Sequence, residues 1–253
     1  MTEWGPVISD GMAEVLRSLG RGPGDEVMRA GAEVLAADGV AVALMVGHGH
    51  LAEPLWWTPG ASARFEELQY TLGEGPGPEA IRTRTHVLEP DLEAVRRGRW
   101  PALVPAARRA GVHGVCCYFL GAGGIRLGVL TVLSSPDRKL TEQQHDDALA
   151  LAAGLTTALL YENPPGAWHG EGEVTQERTM WASGGLHRSV VHQATGMISV
   201  QLDVPLAEAL VRLRAHAYAS GRPLGEVAQD VVARKLRFSN DVNGPYTADG
   251  GKG

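Results

Sequence analysis

The sequence predicts an α+β domain followed by a small all-α bundle. Up to residue 161, short apolar runs typical of strands alternate with helical patterns in the order helix, two strands, helices, two or three strands, helix. That order predicts an antiparallel sheet with flanking helices. From residue 186 the pattern is purely helical, and three short helices form one minimal bundle. A stretch rich in proline and glycine after residue 161 separates the two parts and reads as a linker.

The first domain is predicted to contain the following helices and strands, in chain order. Residues 23–38 have apolar side chains at helical spacing, and GVAVALMV at 39–46 is a buried strand. A tight turn at 47–50 leads into a second strand at 51–58, which makes a hairpin. Further elements are a helix at 61–72, a loop at 73–78, a short helix at 79–84, a short strand at 86–88, a helix at 101–110, an antiparallel pair at 112–120 and 125–134, and a helix from Thr141 to Tyr161.

The last part predicts three helices. Residues 186–202 place Leu186, Val190, Ala194 and Met197 on one stripe, flanked by Val191 and Ile198. Pro205 begins the second helix and Pro223 the third, because proline is tolerated in a first turn. The second helix buries Leu206, Ala209, Leu210, Leu213 and Ala217, and the third buries Leu224, Val227, Ala228, Val231 and Val232. The predicted organisation is an N-terminal segment (1–23), the first domain (24–161), a linker (162–185), the helical domain (186–238) and a disordered tail (239–253).

Composition narrows the class of protein. The 253 residues are 44% hydrophobic and 21% charged, which suits globular domains. No apolar run reaches the ~18 residues of a membrane span, and no secretory signal opens the chain. The adjacent Cys116 and Cys117 point to opposite faces of a strand and are expected to be reduced. These features predict a cytoplasmic protein.

Charge is distributed unevenly along the chain. The net charge is −6, whereas residues 186–239 hold seven basic and four acidic residues, a local charge of +3. A basic part on an acidic chain permits a polyanionic partner. The spacing of Arg188, His192, Thr195 and Ser199 predicts a polar stripe on the first helix of the bundle. By spacing alone, a solvated face is the more common interpretation of such a stripe.

Residues 24–161 contain a series of short motifs: LQYTLGEGPG at 68–77, EPDL at 89–92, RWP at 99–101, AGV at 110–112 and LGVL at 127–130. With these motifs the region resembles the GAF domains of actinobacterial regulators. The resemblance implies a sensor domain that responds to a small molecule or a partner, and pairing of GAF domains through terminal helices. Many relatives have a cysteine where this chain has Gly77, so thiol chemistry at that position is lost. The signature of cyclic-nucleotide-binding GAF domains has no counterpart, and we expect no cyclic nucleotide.

The ligand of this domain cannot be read from the sequence, and no cofactor is assigned. We expect an apolar pocket lined by some of Trp57, Phe65, Leu68, Ile81 and Tyr118. We also expect a homodimer, because Leu151, Leu155, Leu159 and Leu160 cover one side of the terminal helix. Its second side, with Ala148, Ala152 and Ala158, is then smooth enough for close helix packing.

Residues 186–236 contain a second set of motifs: HQATGMI at 192–198, EAL at 208–210, Leu213-Arg214 and EVAQDVV at 226–232. With these motifs the region resembles the ANTAR family of RNA-binding modules in transcription antitermination regulators. Relatives commonly have lysine at the position of Thr195 and often glutamate at that of His192. The resemblance implies binding of RNA stem-loops in nascent transcripts. The candidate RNA-binding residues are Arg188, His192, Thr195, Ser199, Arg214 and Tyr218, where Tyr218 can stack on a loop base.

Two other functions remain open at this stage. A three-helix unit also fits a DNA-binding regulator, although the third helix carries Glu226 and Asp230 and offers no basic recognition surface. A small-molecule enzyme built on the first domain is the other alternative, and we find no catalytic residue set for it. The histidines of the His48-Gly49-His50 turn have no third ligand in view, and we predict no metal site.

Overall fold

The computed structural model describes residues 8–21, 25–45, 52–162, 176–239 and 246–247, with side chains except at 25, 52–54, 161–162, 176–188 and 246–247. The chain divides into two compact units, Met1–Gly170 and Glu171–Gly253. The division falls within the stretch predicted as a linker. Each unit has its own buried apolar core, as its separate hydrophobic patterns imply.

The first unit is a five-stranded antiparallel sheet with flanking helices, as predicted. Its strands are ordered β2-β1-β5-β4-β3, and every pair of neighbours is antiparallel. The elements are α1 (Asp10–Leu19), α2 (Asp25–Val34), β1 (Gly39–Met45), β2 (Ala52–Trp57), α3 (Ala61–Leu72), α4 (Pro76–Thr83), β3 (Val87–Glu89), α5 (Leu103–Arg109), β4 (Gly114–Ala122), β5 (Ile125–Ser134) and α6 (Glu142–Thr157), followed by a π-helical turn at Ala158–Glu162.

Two layers of helices cover the two faces of this sheet. One face carries Ala43 and Cys117 and packs with Phe65 of α3, Ile81 of α4 and Leu103 of α5 in one buried cluster. Adjacent residues of a strand point to opposite faces. Tyr118 therefore faces the other layer, where its hydroxyl group lies 2.6 Å from Nδ1 of His145 in α6.

Helix α1 is an element that the sequence pattern contained but that we did not predict within the N-terminal segment. Its buried residues Met12, Val15 and Leu19 recur at helical spacing. The hydroxyl group of Ser9 caps the helix by accepting a hydrogen bond from Met12 N, which satisfies one of the unpaired first-turn amides. The segment thus belongs to the packed unit.

The alanine side of α6 is buried within its own unit. Ala148, Ala152 and Ala158 are at most 3% exposed. A Cβ atom added at Gly154 would lie 2.7 Å from Leu16 Cδ2, so α1 covers this part of α6. We based the expected dimer on the alanine side of α6, and this placement of the contact surface is wrong. A sequence stripe shows which residues are apolar, but not whether the same chain already covers them.

The second unit is a three-helix bundle with a short strand pair. It contains α7 (Gln176–Leu202), α8 (Leu206–Ser220), α9 (Leu224–Val232), β6 (Leu236–Arg237) and β7 (Tyr246–Thr247). Helix α8 ends at Gly221, whose φ of +63° favours glycine. The predicted buried residues Ala209, Leu213 and Val227 are fully buried.

Several boundaries differ from the prediction. Helix α4 begins at Pro76, so the predicted loop at 73–78 is shorter, because proline suits a helical first turn. Helix α7 begins at Gln176, inside the predicted linker. Helix α9 ends at Val232, so Arg234, Lys235 and Arg237 follow it. The predicted disordered tail includes Tyr246–Thr247, which pairs with Leu236–Arg237.

Candidate functional site

The residues expected to line a pocket in the first unit do not all come together. Phe65 and Ile81 are fully buried in the cluster between the sheet and α3, α4 and α5, and Leu68 packs against it. Trp57 is half-buried on β2, opposite Ala41 of β1. Three of the five residues thus share one apolar core.

Tyr118 was wrongly assigned to this set. It lies on the face of β4 opposite the cluster, and its hydroxyl group pairs with His145. The error has a simple origin, because Tyr118 follows Cys117, which does belong to the cluster. A shift of one residue along a strand changes the face. Burial raises the pKa of the tyrosine, so its hydroxyl group stays protonated.

The charged residues of the GAF-like motifs meet in one network that we did not predict. Arg99 Nη2 lies 2.7 Å from Glu79 Oε1, and Arg99 also pairs with Glu89. Trp100 Nε1 donates to Glu79 Oε2 at 3.0 Å, while the guanidinium group of Arg99 stands 4.3 Å from the centre of the Trp100 ring. The hydrogen bonds from Arg99 lower the pKa of Glu79. The network joins α4, β3 and the loop before α5.

The glycine-rich motif is also explained by contacts within the unit. Glu74 Oε1 accepts hydrogen bonds from Ala102 N and Leu103 N at 2.7 and 2.9 Å, which caps α5. Gln69 Oε1 accepts from Gly77 N at 2.8 Å. A Cβ atom at residue 77 would lie 3.0 Å from Gln69 Oε1. The amide group of Gln69 therefore crowds the space that a side chain at position 77 would need.

Both thiols of the first unit are unsuited to act as nucleophiles. Burial raises the pKa of Cys116 to about 11 and that of Cys117 well above its ordinary value. Cys117 Sγ lies 3.6 Å from Thr131 Oγ1. Because the thiolate is the reactive form, both cysteines are protonated core residues at neutral pH.

The predicted polar stripe on α7 is only partly on the surface. His192 is exposed, but Thr195 is 7% exposed and donates to Val191 O at 2.7 Å. Ser199 is half-buried and donates to Val204 O at 2.6 Å. The side chain of Arg188 lies outside the described residues. The placement of Thr195 on an outward face is therefore wrong.

Thr195 is buried because the face of α7 that packs in the bundle differs from the predicted one. Among the described side chains of α7, at 189–202, the buried ones are Val191, Ala194, Thr195, Ile198 and Leu202. This stripe is rotated by about one residue from the stripe we predicted from Val190, Ala194 and Met197. Val190 and Met197 are half-buried at its edge. Two apolar stripes fit the sequence nearly equally well, and packing against α9 selects the one that contains Thr195.

Helix α8 presents an outward face close to the predicted one. Val211 is 60% and Tyr218 67% exposed, and Arg214 between them is half-buried. Leu206, predicted to be in the core, is 61% exposed, because it is the first residue of the helix and extends past the end of the bundle core. The exposed ring of Tyr218 can stack on a base, whereas the Nε atom of Arg214, four residues earlier, is buried.

Two arginines of the second unit are engaged with its own carboxylates. Arg212 Nη2 lies 2.7 Å from Glu208 Oε1, and Arg222 Nη2 lies 2.7 Å from Asp230 Oδ2. Arg214 and His192 also have interactions within the protein. The positive charge open to a ligand is thus smaller than the composition suggests.

The described residues contain no single helix fit to span a membrane and no group of side chains fit to hold a metal ion. No single helix there is long and apolar enough to cross a membrane, although the bent pair Ser189–Leu202 and Leu206–Ser220 qualifies by length and composition. Apolar residues of that pair, including Leu202 and Leu213, are buried in the bundle. No group of three His, Cys, Asp or Glu side chains in the described part could hold a metal ion. The His48-Gly49-His50 turn lies outside it.

Comparison with known proteins gives a family match in the second unit. The family model of the ANTAR domain matches residues 186–232, so the three-helix bundle is similar to an ANTAR domain. The match covers the α7 segment from Leu186, all of α8 and all of α9. Among curated proteins, none matches the chain.

Solved structures similar to the chain include several GAF domains. One is the GAF domain of a phosphoenolpyruvate-protein phosphotransferase from Coxiella burnetii, with 16% identity and a TM-score of 0.46, covering 59% of this chain and 94% of that one. The corresponding domain from Acinetobacter has 12% identity and a TM-score of 0.45, covering 66% and 96%. The GAF domain of nlh2 from A. aeolicus has 12% identity and a TM-score of 0.42, covering 58% and 92%.

Proposed function

We propose that this chain is a signal-responsive regulator that binds RNA and controls transcription antitermination in the cytoplasm. The ANTAR match at 186–232 carries the proposal. In this reading the first unit senses a small molecule or a partner, and the second binds stem-loops in nascent transcripts and so prevents a terminator hairpin from forming. Neither unit is assigned a catalytic function.

The outward face of α8 supports the RNA-binding part of the proposal. The exposed ring of Tyr218 offers a stacking surface for an unpaired loop base, while Arg214 lies one turn earlier on the same helix. His192 on α7 is exposed and adds a hydrogen-bonding group. We also retain Arg188 and Ser199 as candidate contacts. Thr195, with its hydroxyl group held by Val191, becomes a core residue in this proposal.

A titration that compares nucleic acids tests this function. The full chain is titrated with an RNA stem-loop, with the same RNA carrying a scrambled loop, and with duplex DNA of the same sequence. We expect preferential binding to the intact stem-loop, because duplex DNA has no splayed loop bases and the scrambled loop presents them in another order. Arg214→Ala should weaken that binding, whereas the ion-paired Arg212→Ala should have a smaller effect. Equal or tighter binding to duplex DNA would favour the DNA-binding alternative instead.

The sensing part of the proposal centres on the apolar cluster around Phe65 and Ile81. This cluster lies beside the buried carboxylate of Glu66, which is 5% exposed and accepts a hydrogen bond from Gln69 Nε2 at 3.2 Å. We propose that a small molecule binds on this face of the sheet and that cyclic AMP and cyclic GMP do not. Native mass spectrometry of the purified chain, before and after denaturation, tests whether a ligand is retained.

We further propose that the chain is a homodimer. Dimerisation places two RNA-binding modules on two neighbouring loops, and the second contact then benefits from a high effective concentration. Because the alanine side of α6 is buried, the candidate contact moves to its outward residues Leu149 and Ala153, which are exposed. Light scattering that gives a mass near 26.8 kDa at micromolar concentration would contradict the dimer.

A further inference from the structure

Three exposed cations stand immediately beyond α9. Arg234, Lys235 and Arg237, which we call the basic turn, are all exposed. They follow the end of the ANTAR match at residue 232, so the match itself assigns them no role. Three positive side chains within four residues make this the densest basic segment of the second unit.

The basic turn is held in place by the bundle. Lys235 N donates to Asp230 O at 2.8 Å, and Arg234 N donates to Val231 O at 3.0 Å, which closes the end of α9. Leu236 and Phe238 are each 5% exposed. Phe238 N donates to Gln201 Oε1 of α7 at 2.9 Å, and its ring packs edge-on against His216 of α8.

This anchoring fixes where the charges point. In an extended segment alternate side chains lie on opposite faces. Since Leu236 and Phe238 point into the bundle, Lys235 and Arg237 point away from it together. The basic turn is therefore a preorganised surface, and an ionic ligand loses little conformational freedom of the protein when it binds there.

Charge pairing within the unit singles out this surface. Arg212 and Arg222 are neutralised by Glu208 and Asp230. In the part of the chain that the structure describes, no carboxylate pairs with the three cations of the basic turn. The partial negative charge at the end of α9 offsets only about half of one charge. Among the side chains that the structure describes in this unit, most of the accessible positive charge thus lies here.

We propose that the basic turn binds phosphate groups of the RNA that the ANTAR domain holds, which rests on the proposed function. The turn exposes cations but neither of its apolar side chains, so it contacts the backbone and does not read bases. Backbone contacts add affinity and salt dependence without sequence preference. Loop recognition then belongs to the α8 face, and general affinity depends strongly on the basic turn.

The test compares two triple variants of the full chain that remove the same charge. The first is Arg234→Gln, Lys235→Gln and Arg237→Gln. The matched control is Arg96→Gln, Arg97→Gln and Lys139→Gln, which removes two exposed arginines and one exposed lysine from the first unit. Each is titrated with the intact stem-loop and with the scrambled-loop RNA over a series of salt concentrations.

We expect the basic-turn variant to bind both RNAs roughly tenfold more weakly and to lower the slope of log K against log salt by about two to three. The ratio of affinities for the two RNAs should be unchanged, and the control should match the wild type. The exchange Arg234→Lys, Lys235→Arg and Arg237→Lys should restore binding. If the triple variant unfolds in circular dichroism, Lys235→Gln and Arg237→Gln alone should each lower the slope by about one.

The failures of the two proposals differ. If the wild type binds the stem-loop and the basic-turn variants keep the same slope as the control, this inference is overturned and RNA binding stands. A variant that loses discrimination between intact and scrambled loops would also overturn it, because the basic turn would then read bases. If the wild type binds neither RNA, the proposed function is wrong, and this inference, which rests on it, is wrong as well.

Discussion

Ser9 is joined to Asp147 by two hydrogen bonds that span 138 residues of sequence. Ser9 N donates to Asp147 Oδ1 at 2.8 Å, and Ser9 Oγ donates to Asp147 Oδ2 at 2.7 Å. Asp147 is 2% exposed, and Gln143 Nε2 also donates to it, at 3.3 Å. The pair attaches the beginning of α1 to α6, while the same serine hydroxyl group caps α1.

Asp147→Ala should therefore loosen α1 as well as destabilise the first unit. Removing the carboxylate leaves two partly buried donors of Ser9 without this acceptor, which costs about 1–3 kcal/mol. The measurement is chemical denaturation together with hydrogen exchange of the α1 amides. The neighbouring Asp146→Ala serves as control, since Asp146 is only half-buried. Equal stability of the two variants would contradict this role of Asp147.

The Glu79–Arg99 pair should make the first unit sensitive to acid. Its hydrogen bonds lower the pKa of Glu79 in the folded chain. The unfolded chain then binds this proton more readily, so the stabilisation is complete above the ordinary glutamate pKa and is lost as pH falls through the lowered one. Glu79→Gln should reduce stability at neutral pH by about 1–2 kcal/mol and flatten the loss between neutral and acidic pH.

The control for this variant is another glutamate in an ion pair. Glu93 pairs with Arg108 at 2.7 Å, but both side chains are more than half exposed. Exposed pairs contribute little, so Glu93→Gln should leave the dependence of stability on pH nearly unchanged. Thermal unfolding measured over a pH series separates the two. An identical profile for both variants would show that the partial burial of the Glu79 pair has no consequence.

Truncating two leucines of α8 should change the stability of the second unit by very different amounts. Leu213 is fully buried, whereas Leu206 is 61% exposed. Leu213→Ala should destabilise the second unit by about 2–5 kcal/mol, because it leaves a cavity. Leu206→Ala should change its stability by less than about 0.5 kcal/mol. Circular dichroism during urea unfolding measures the stability of both variants. A large effect of Leu206→Ala would show that Leu206 belongs to the core.

Thr195→Val should leave RNA affinity unchanged. The threonine side chain is buried and its hydroxyl group is satisfied by Val191 O, so valine loses no contact that an RNA could reach. His192→Ala, which alters an exposed residue three positions earlier, should weaken binding. A loss of affinity in Thr195→Val with an intact fold would mean that α7 changes its phase on binding.

Tyr218→Ala should weaken binding of the intact stem-loop by roughly tenfold, since stacking of one base contributes about 1–3 kcal/mol. Val211→Ala is the comparison on the same exposed face, and it removes apolar area without an aromatic ring. Neither change should alter stability, because both side chains are largely exposed. Similar affinities for the two variants would place the RNA on another face of the domain.

Much of the fold could be predicted from local sequence patterns. The apolar runs in residues 39–45 and 125–134 and the capping of α6 by Thr141 follow from chemistry within a few residues. The face assignments were harder. Tyr118 was misplaced because the strand pattern at 114–120 is apolar on both faces, as expected of a strand covered on each side. Only the contact of Tyr118 with His145, 27 residues further along the chain, shows which of the two faces Tyr118 occupies.

The network of Glu79, Glu89 and Arg99 shows a second limit. Each residue lies in or beside a motif that we recognised, yet their pairing joins positions 10 and 20 residues apart. Sequence spacing contains no signal for such a contact, since loop geometry decides it. The same reason applies to Leu206 and Thr195, where the phase and the ends of the helices in the bundle determine burial.

The π-helical turn at Ala158–Glu162 determines the direction in which the side chains at the end of α6 point. A π-helical turn holds one residue more than an α-helical one, and each residue of an α-helix turns the chain by about 100°. Removing a single residue from this turn would therefore redirect the side chains that follow within it, relative to the body of α6. The buried Ala158 and the half-buried Leu159 and Leu160 would then exchange buried and outward positions, and a count of apolar residues would not reveal this.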